Sequence, residues 1–346
     1  MKSAAAAVLV FLPLVSRVAA ADSSATAEIQ LNQAGQDLAA DLGLDVAGFE
    51  ETLREKVKSA LGVSAVGGFL RAFSDATSFS NRGLGVDYAS NSERAVFGIG
   101  ANLAVAADLD GAHPAAGAAA NITLMGGLNL RRWNHPELTV YGNGFYRSAE
   151  SDHLHGSIAS GGVHLQLKKY TPTQGWKSLA IQWGGFDFTT GVEVAHWGYG
   201  LRGELSDSFE LENDAGTAST TIEAATNGHV DLSATTVTVP LEVTTNVRLL
   251  YLASLYVGLG LDAQVGSSTL DLGVGGSLTG TRPDTGAPET IGSITVTGTG
   301  SKSPSFFGYH ILMGLQANLW RLKIFTQVTL EPIDKASLAI GARVVL

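Results

Sequence analysis

The last eleven residues, Ala336 to Leu346, constrain the fold more than any other stretch. Leu338, Ile340, Ala342, Val344 and Leu346 are apolar, and Ser337, Ala339, Gly341 and Arg343 between them are small or polar. Successive side chains of an extended strand point to opposite faces, so strict period-two alternation describes a strand with one oily face and one wet or crowded face. The length matches the roughly 9–11 residues that a tilted strand needs to cross a bilayer.

The same period runs through most of the chain from Leu84 onward. In 97–105 the odd positions carry bulk and the even ones are Gly, Asn or Ala. In 254–264, Leu255, Val257, Leu259 and Leu261 oppose Tyr256, Gly258, Gly260 and Asp262. Strands are expected near 84–91, 97–105, 121–130, 137–148, 156–169, 177–189, 191–206, 236–248, 254–264, 306–319, 322–331 and 336–346. Leu249 to Leu261 is the longest uncharged greasy run and falls short of the roughly 18 residues a membrane helix requires. A closed barrel is the other way to satisfy every backbone group in lipid. The 42 glycines and 16% charged residues suit a sheet that curves around an uncrowded interior better than a dry soluble sandwich.

The first residues fit export. Lys2 gives a positive start, Ala4 to Val15 is apolar, and Val18-Ala19-Ala20-Ala21 offers small residues for a peptidase, so 1–21 reads as a signal peptide. The chain has no cysteine, which removes both a disulfide framework and lipid attachment through cysteine. A net charge of −10 argues against nucleic-acid binding, which rewards basic patches.

With export signal and terminal strand in hand, the chain resembles bacterial outer-membrane β-barrel proteins. Ala336 to Leu346 is similar to their C-terminal assembly signal, which usually ends in an aromatic residue where Leu346 stands here. The block 239–262 also resembles a hairpin of such barrels. The resemblance implies an all-β fold: a transmembrane antiparallel up-and-down barrel of about 12 strands, or 14 if 266–305 contributes two more. It further implies an outer-membrane location, with the lipid bilayer and the barrel-assembly machinery as partners. It leaves the oligomeric state open.

Residues 22–83 read as an N-terminal segment ahead of the barrel at 84–346. Val46, Phe49, Leu53, Val57 and Leu61 recur at helical spacing behind Asp45 as N-cap, which predicts an amphipathic helix over 45–61. It is expected either across the periplasmic mouth or as a plug in the lumen, and the polar stretch Arg71 to Gly83 is a second candidate for the lumen. Trp133, Tyr170, Trp176, Trp197, Tyr251 and Trp320 suit interfacial girdles. Counted back from the last strand, 207–234 and 266–305 fall as long outer loops. By the same count 108–120 and 149–155 fall as unexpectedly long connections at the opposite, short-turn end.

Chemistry-bearing motifs are scarce. No Gly-x-Ser-x-Gly, His-Glu-x-x-His or phosphate loop is present, so no catalytic residue, cofactor or metal ligand is assigned. His153 and His155 beside Glu150 and Asp152 read as loop polarity, and Asn121-Ile122-Thr123 as a chance sequon. With greasy positions facing lipid, the lumen-facing set includes Asn102, Asn129, His164, Gln166, Lys168, Glu242, Thr244, Asn246, Arg248, Asp262, Gln264, His310, Gln316, Asn318, Lys323, Gln327 and Arg343. Such a lining either seals a narrow barrel by internal pairing or forms a polar conduit. Three functions follow: diffusion or transport of small solutes, surface interaction through the outer loops, and uptake of apolar compounds. The last is similar in architecture to the long-chain fatty-acid transporter family, which also places a hatch before its barrel.

Overall fold

A computed structural model describes residues 24–60, 66–90, 92–109, 114–168, 180–212, 219–282 and 286–346. The expected signal peptide lies outside them. The wall is antiparallel throughout. The strands are β1 (Ser24–Leu31), β2 (Ala95–Asp108), β3 (Ala115–Asn129), β4 (Leu138–Glu150), β5 (Leu154–Lys168) and β6 (Ile181–Glu212). They continue with β7 (Ser219–Leu249), β8 (Ala253–Thr281), β9 (Pro288–Lys302), β10 (Phe307–Leu319), β11 (Leu322–Glu331) and β12 (Lys335–Val345). Three helices precede the wall: α1 (Gln33–Asp41), α2 (Val46–Ala60) and α3 (Val66–Phe79).

The sheet holds twelve strands, but not the twelve expected. The ring runs from β2 to β8 in chain order, skips to β10, β11 and β12, and closes by β12 pairing with β2. It therefore has ten strands, with β9 and β1 branching from β8 outside it. The sequence spacing differs at two places. The expected strand 84–91 alternates like one, but its described residues 84–90 sit inside the ring, buried on all sides. The expected strands 177–189 and 191–206 meet, over their described residues from Ile181, in a single strand, because Thr190-Gly191 continues the ladder with β5 rather than turning. Merging those two strands reverses the parity of everything before them. The connections after β2 and β4 consequently move to the same end as the long strands, which removes the difficulty with 108–120 and 149–155.

Oily side chains face outward. Leu255, Val257, Leu259, Leu261, Leu338 and Ile340 are all about half exposed or more, while Ala339, Asp262, Gln327 and Arg343 between and beside them are buried. An inverted surface of this kind, apolar outside and polar inside, suits lipid and not water. No helix among the described residues is long and apolar enough to cross a membrane.

β6, β7 and β8 contain 32, 31 and 29 residues, about twenty more than a bilayer crossing takes. The surplus continues the sheet past one rim, called here the long-strand end. There β9 adds to β8, and all eight residues of β1 pair with β9. Polar connections 207–234 and 266–305, expected as loops, are largely these strand extensions. Helices α1 and α2 cover one face of the extension. Phe49 and Leu53 of α2, with Leu38 and Leu42 of α1, pack on Ile29, Ile222, Leu278, Ile291 and Ile294. Asn32 caps α1 by accepting from the Gly35 amide at 3.0 Å and also donates to Thr290 O at 2.7 Å, fixing helix to sheet. The Asp45 cap forms as the sequence predicts, and Phe49 and Leu53 of the expected apolar face are buried, whereas Val46 is exposed and the Val57 side chain and Leu61 lie outside what is described. The helix itself sits neither below the barrel nor in its lumen, but on the extension at the long-strand end.

The lumen is entered instead by α3. Its residues Ala76 and Phe73 lie against β2 and β3, where Ala106, Ala119 and Gly117 leave room. A Cβ on Gly117 would stand 2.3 Å from the Phe73 backbone nitrogen. Replacement of Gly117 by valine must therefore push α3 off the wall, at a cost of about 1–3 kcal/mol typical of overpacking. The expected outcome is a lower denaturant midpoint together with new proteolytic cutting in 66–90.

Candidate functional site: the occupied lumen

Three buried charge clusters succeed one another down the lumen, each built between the wall and the inner segment. Nearest the long-strand end, Asp75 of α3 lies 3.4 Å from Lys335 Nζ, which also meets Glu331 at 3.1 Å. The Ser305 amide and hydroxyl donate to the same aspartate at 2.8 and 3.2 Å. In the middle, Arg82 bridges two carboxylates on either side of β7. Its Nη1 is 3.2 Å from Glu193 on β6 and its Nη2 is 2.7 Å from Asp262 on β8. Asp262 and Glu242 flank His310 at 2.9 and 3.2 Å, and Tyr88 donates to Glu242 at 2.6 Å. Nearest the short-turn end, Arg343 meets Asp87 at 3.1 Å and lies over the Phe325 ring.

Residues 80–90 are not helical, so their backbone groups need partners from the wall. Several wall side chains supply them. Asn102 donates to Phe79 O and Arg82 O at 3.3 and 2.9 Å. Arg343 donates to Val86 O at 2.8 Å, Gln166 to Asp87 O at 3.2 Å, Asn246 to Tyr88 O at 3.0 Å and Arg248 to Ser90 O at 3.4 Å. Gln316 reaches the Ser90 hydroxyl at 2.9 Å. Gly83 is in the left-handed region at φ 77°, which lets the chain turn beneath α3 beside Gln327.

Of the residues picked out in the sequence, Asn102, Gln166, Glu242, Asn246, Arg248, Asp262, Gln316 and Arg343 thus touch the inner segment directly. His310 acts through its two carboxylates and edges onto the Phe79 ring. His164 is buried 3.8 Å from Glu193. Three lie lower. Asn129 holds the turn at 130–137 through Pro136 O and Thr139, Lys168 lines the mouth, and Lys323 donates to Trp320 O at the rim. That mouth is a cavity of about 520 Å³ lined by Ser90, Arg131, Tyr141, Lys168, Asp187 and Arg248 among others.

The lining residues named singly in the sequence do not include Asp75, Arg82, Asp87, Tyr88, Glu193 or Lys335, although Asp75 and Arg82 belong to the stretch Arg71 to Gly83 expected as a candidate for the lumen. Glu193 was legible, since it shares parity with Asp187 and Thr189 once the strand is left unbroken. Asp87 was masked by the strand-like alternation of Leu84, Val86 and Tyr88. The expected aromatic girdle also divides. Trp133, Tyr251 and Trp320 are exposed at the short-turn end, whereas Tyr170 and Trp176 lie outside the described residues. Trp197 faces inward, donating to Ala120 O at 2.9 Å and packing edge-on against Phe73. His153 and His155 do not gather with acids into a site: His155 pairs with Asp231 on β7, and no group of three metal-ligating side chains occurs among the described residues.

A ten-strand ring with a lipid-compatible outside and a paired polar inside defines a transmembrane β-barrel, here with its lumen filled by its own chain. The family model described as Lsa36-like matches residues 24–346, and the chain belongs to that family. No curated protein matches it. Among solved structures it is similar to Ail, the attachment invasion locus protein of Yersinia pestis, at 11% identity over 72% of this chain and 99% of that one, with a TM-score of 0.23. Similar too are the P. putida toluene transporter TodX (10% identity, 73% and 90% covered, TM-score 0.24) and the translocator domain of autotransporter NalP from Neisseria meningitidis (7%, 85% and 98%, 0.28). Likeness this faint carries nothing about function.

Removing one partner of a buried ion pair typically costs about 3–5 kcal/mol, because the remaining charge has no solvent. Arg82→Met leaves the Glu193 and Asp262 carboxylates without the guanidinium between them and should destabilise the barrel by that order in a urea refolding titration. Adding Glu193→Gln and Asp262→Asn to the same variant should restore most of the loss.

Proposed function

We propose that this chain is a solute-tight outer-membrane barrel that holds a folded module at the cell surface for interaction with partners there. In this reading the short turns face the periplasm and the long strands face outward, the usual disposition of such barrels. The observation that carries it is the filled lumen: residues 66–90 occupy the ring, and their charges and carbonyls are paired with the wall. A diffusion pore needs a path whose sites release what they bind, and these sites are engaged by covalently attached chain. What the barrel offers instead is the extension of β6–β9 with β1, α1 and α2, a surface with its own apolar core. The role is a non-enzymatic one, and insertion by the barrel-assembly machinery belongs to the same proposal.

Passage of small solutes is the second reading. It is favoured by the cavity of about 520 Å³ at the short-turn end, which would become a vestibule if 66–90 withdrew. Uptake of apolar compounds has less support, since the interior is lined by amides, carboxylates and guanidinium groups. Planar-bilayer recording separates the readings. The full chain is expected to stay silent across the voltage range. Stable ohmic steps from the full chain would replace surface display with diffusion.

A further inference from the structure

Contacts of residues 66–92 follow one another down the ring without reversal. Leu70 O accepts from Ser268, where the pairing of β8 with β9 begins opposite Lys302. Asp75 meets Lys335 at the start of β12, and Ser78 meets Gln264 at 2.8 Å. Arg82 lies level with Asp262, Tyr88 with Asn246, and Ser90 with Gln316 and Arg248. Arg94 then donates to Leu346 O at 3.1 Å on the short-turn side, immediately before β2 begins. The ring around this path is closed at both β7–β8 and β12–β2. Residues 24–60 and residues 92–94 therefore stand at opposite ends of the ring.

From this we infer that the barrel is threaded by its own N-terminal segment, with β1, α1 and α2 carried through the ring to the cell exterior. The inference rests on the orientation proposed above and goes beyond it, because it assigns the route by which the N-terminal part of the module reaches the surface. Two features argue that this is a resting state. Every residue of β1 is in register with β9, from Ser24 opposite Thr299 to Leu31 opposite Gly292. The apolar face of the extension, including Ile222, Leu278, Ile291, Ile294 and Val296, is covered only because α1 and α2 lie on it. Were the module on the periplasmic side, that face would be left as an exposed apolar patch on the outside, where such patches invite aggregation. The ring thus acts as a conduit for one cargo, its own chain, and the charge clusters hold that cargo once it has passed.

The chain has no cysteine, so each engineered thiol is unique. Glu28→Cys in β1, Asp41→Cys at the end of α1, Asp152→Cys in the connection after β4 and Arg132→Cys in the turn before β4 all lie at exposed positions. Each is to be treated with a membrane-impermeant maleimide on intact cells and on lysed cells, and labelling read on the folded species. Threading predicts that Glu28→Cys, Asp41→Cys and Asp152→Cys label equally in both, and that Arg132→Cys labels only after lysis. Labelling of Asp152→Cys on intact cells with protection of Glu28→Cys and Asp41→Cys overturns threading and leaves the barrel's orientation standing. Protection of Asp152→Cys with labelling of Arg132→Cys overturns the orientation itself, and the proposed surface role with it.

Discussion

A ring of ten strands turns every second side chain into a space it shares with no lipid, and in this chain several of those side chains are acids. Glu193 on β6 and Asp262 on β8 stand on either side of β7, and beyond the wall histidines His164, 3.8 Å from Glu193, and His310, 2.9 Å from Asp262, their cation comes from the inner segment. Arg82 arrives from the inner segment and bonds both. Carboxylates removed from water are tolerated only when paired, so the wall and the thread are stable only together. The same dependence recurs above, where Asp75 needs Lys335, and below, where Asp87 needs Arg343. The barrel and residues 66–90 are accordingly one cooperative unit.

That dependence explains what could be read from the sequence and what could not. The lipid-facing half of each strand obeys a simple rule, apolar at every second position, because the solvent outside is uniform; Leu255 to Leu261 and Leu338 to Leu346 announce themselves for this reason. The inner partner obeys no periodic rule. Leu84, Val86 and Tyr88 alternate as a strand would, yet each is buried in a different niche: Leu84 against Phe325, and Val86 and Tyr88 among Tyr141, Tyr256 and Leu312. Only tertiary placement distinguishes that from a lipid-facing face. The break expected near Thr190 failed similarly, since Gly191 reads as a turn locally but continues the β5–β6 ladder. The amphipathic period of α2 was visible, but which apolar surface it would meet was not, because its partner is assembled from β1, β7, β8 and β9, remote in sequence.

The extension follows from strand length. Once β6, β7 and β8 rise about twenty residues above the bilayer, they leave lipid and need a different way to bury apolar residues. Outside the membrane belt the sheet turns its inner face to helices, the ordinary solution for a soluble layer. One continuous set of strands therefore has an inverted surface along one part and a conventional core along the other. The change falls where α3 enters the ring, so the helix that begins the thread also ends the soluble core.

The chemistry of the wall finally bears on what the lumen is shaped to receive. Asn102, Gln166, Asn246, Arg248, Arg343 and Ser268 all spend donors on backbone carbonyls, at points spaced along a descending chain. A solute filter presents rings of like groups that any passing ion can use in turn. A surface that offers single amides and guanidinium groups in an irregular order matches one polypeptide path and little else. Non-helical backbone at membrane depth would be costly anywhere it met lipid; here the wall replaces water as its hydrogen-bonding partner. The polar lining that a sequence suggests for a conduit is, in its geometry, a mould for the chain's own residues 80–90.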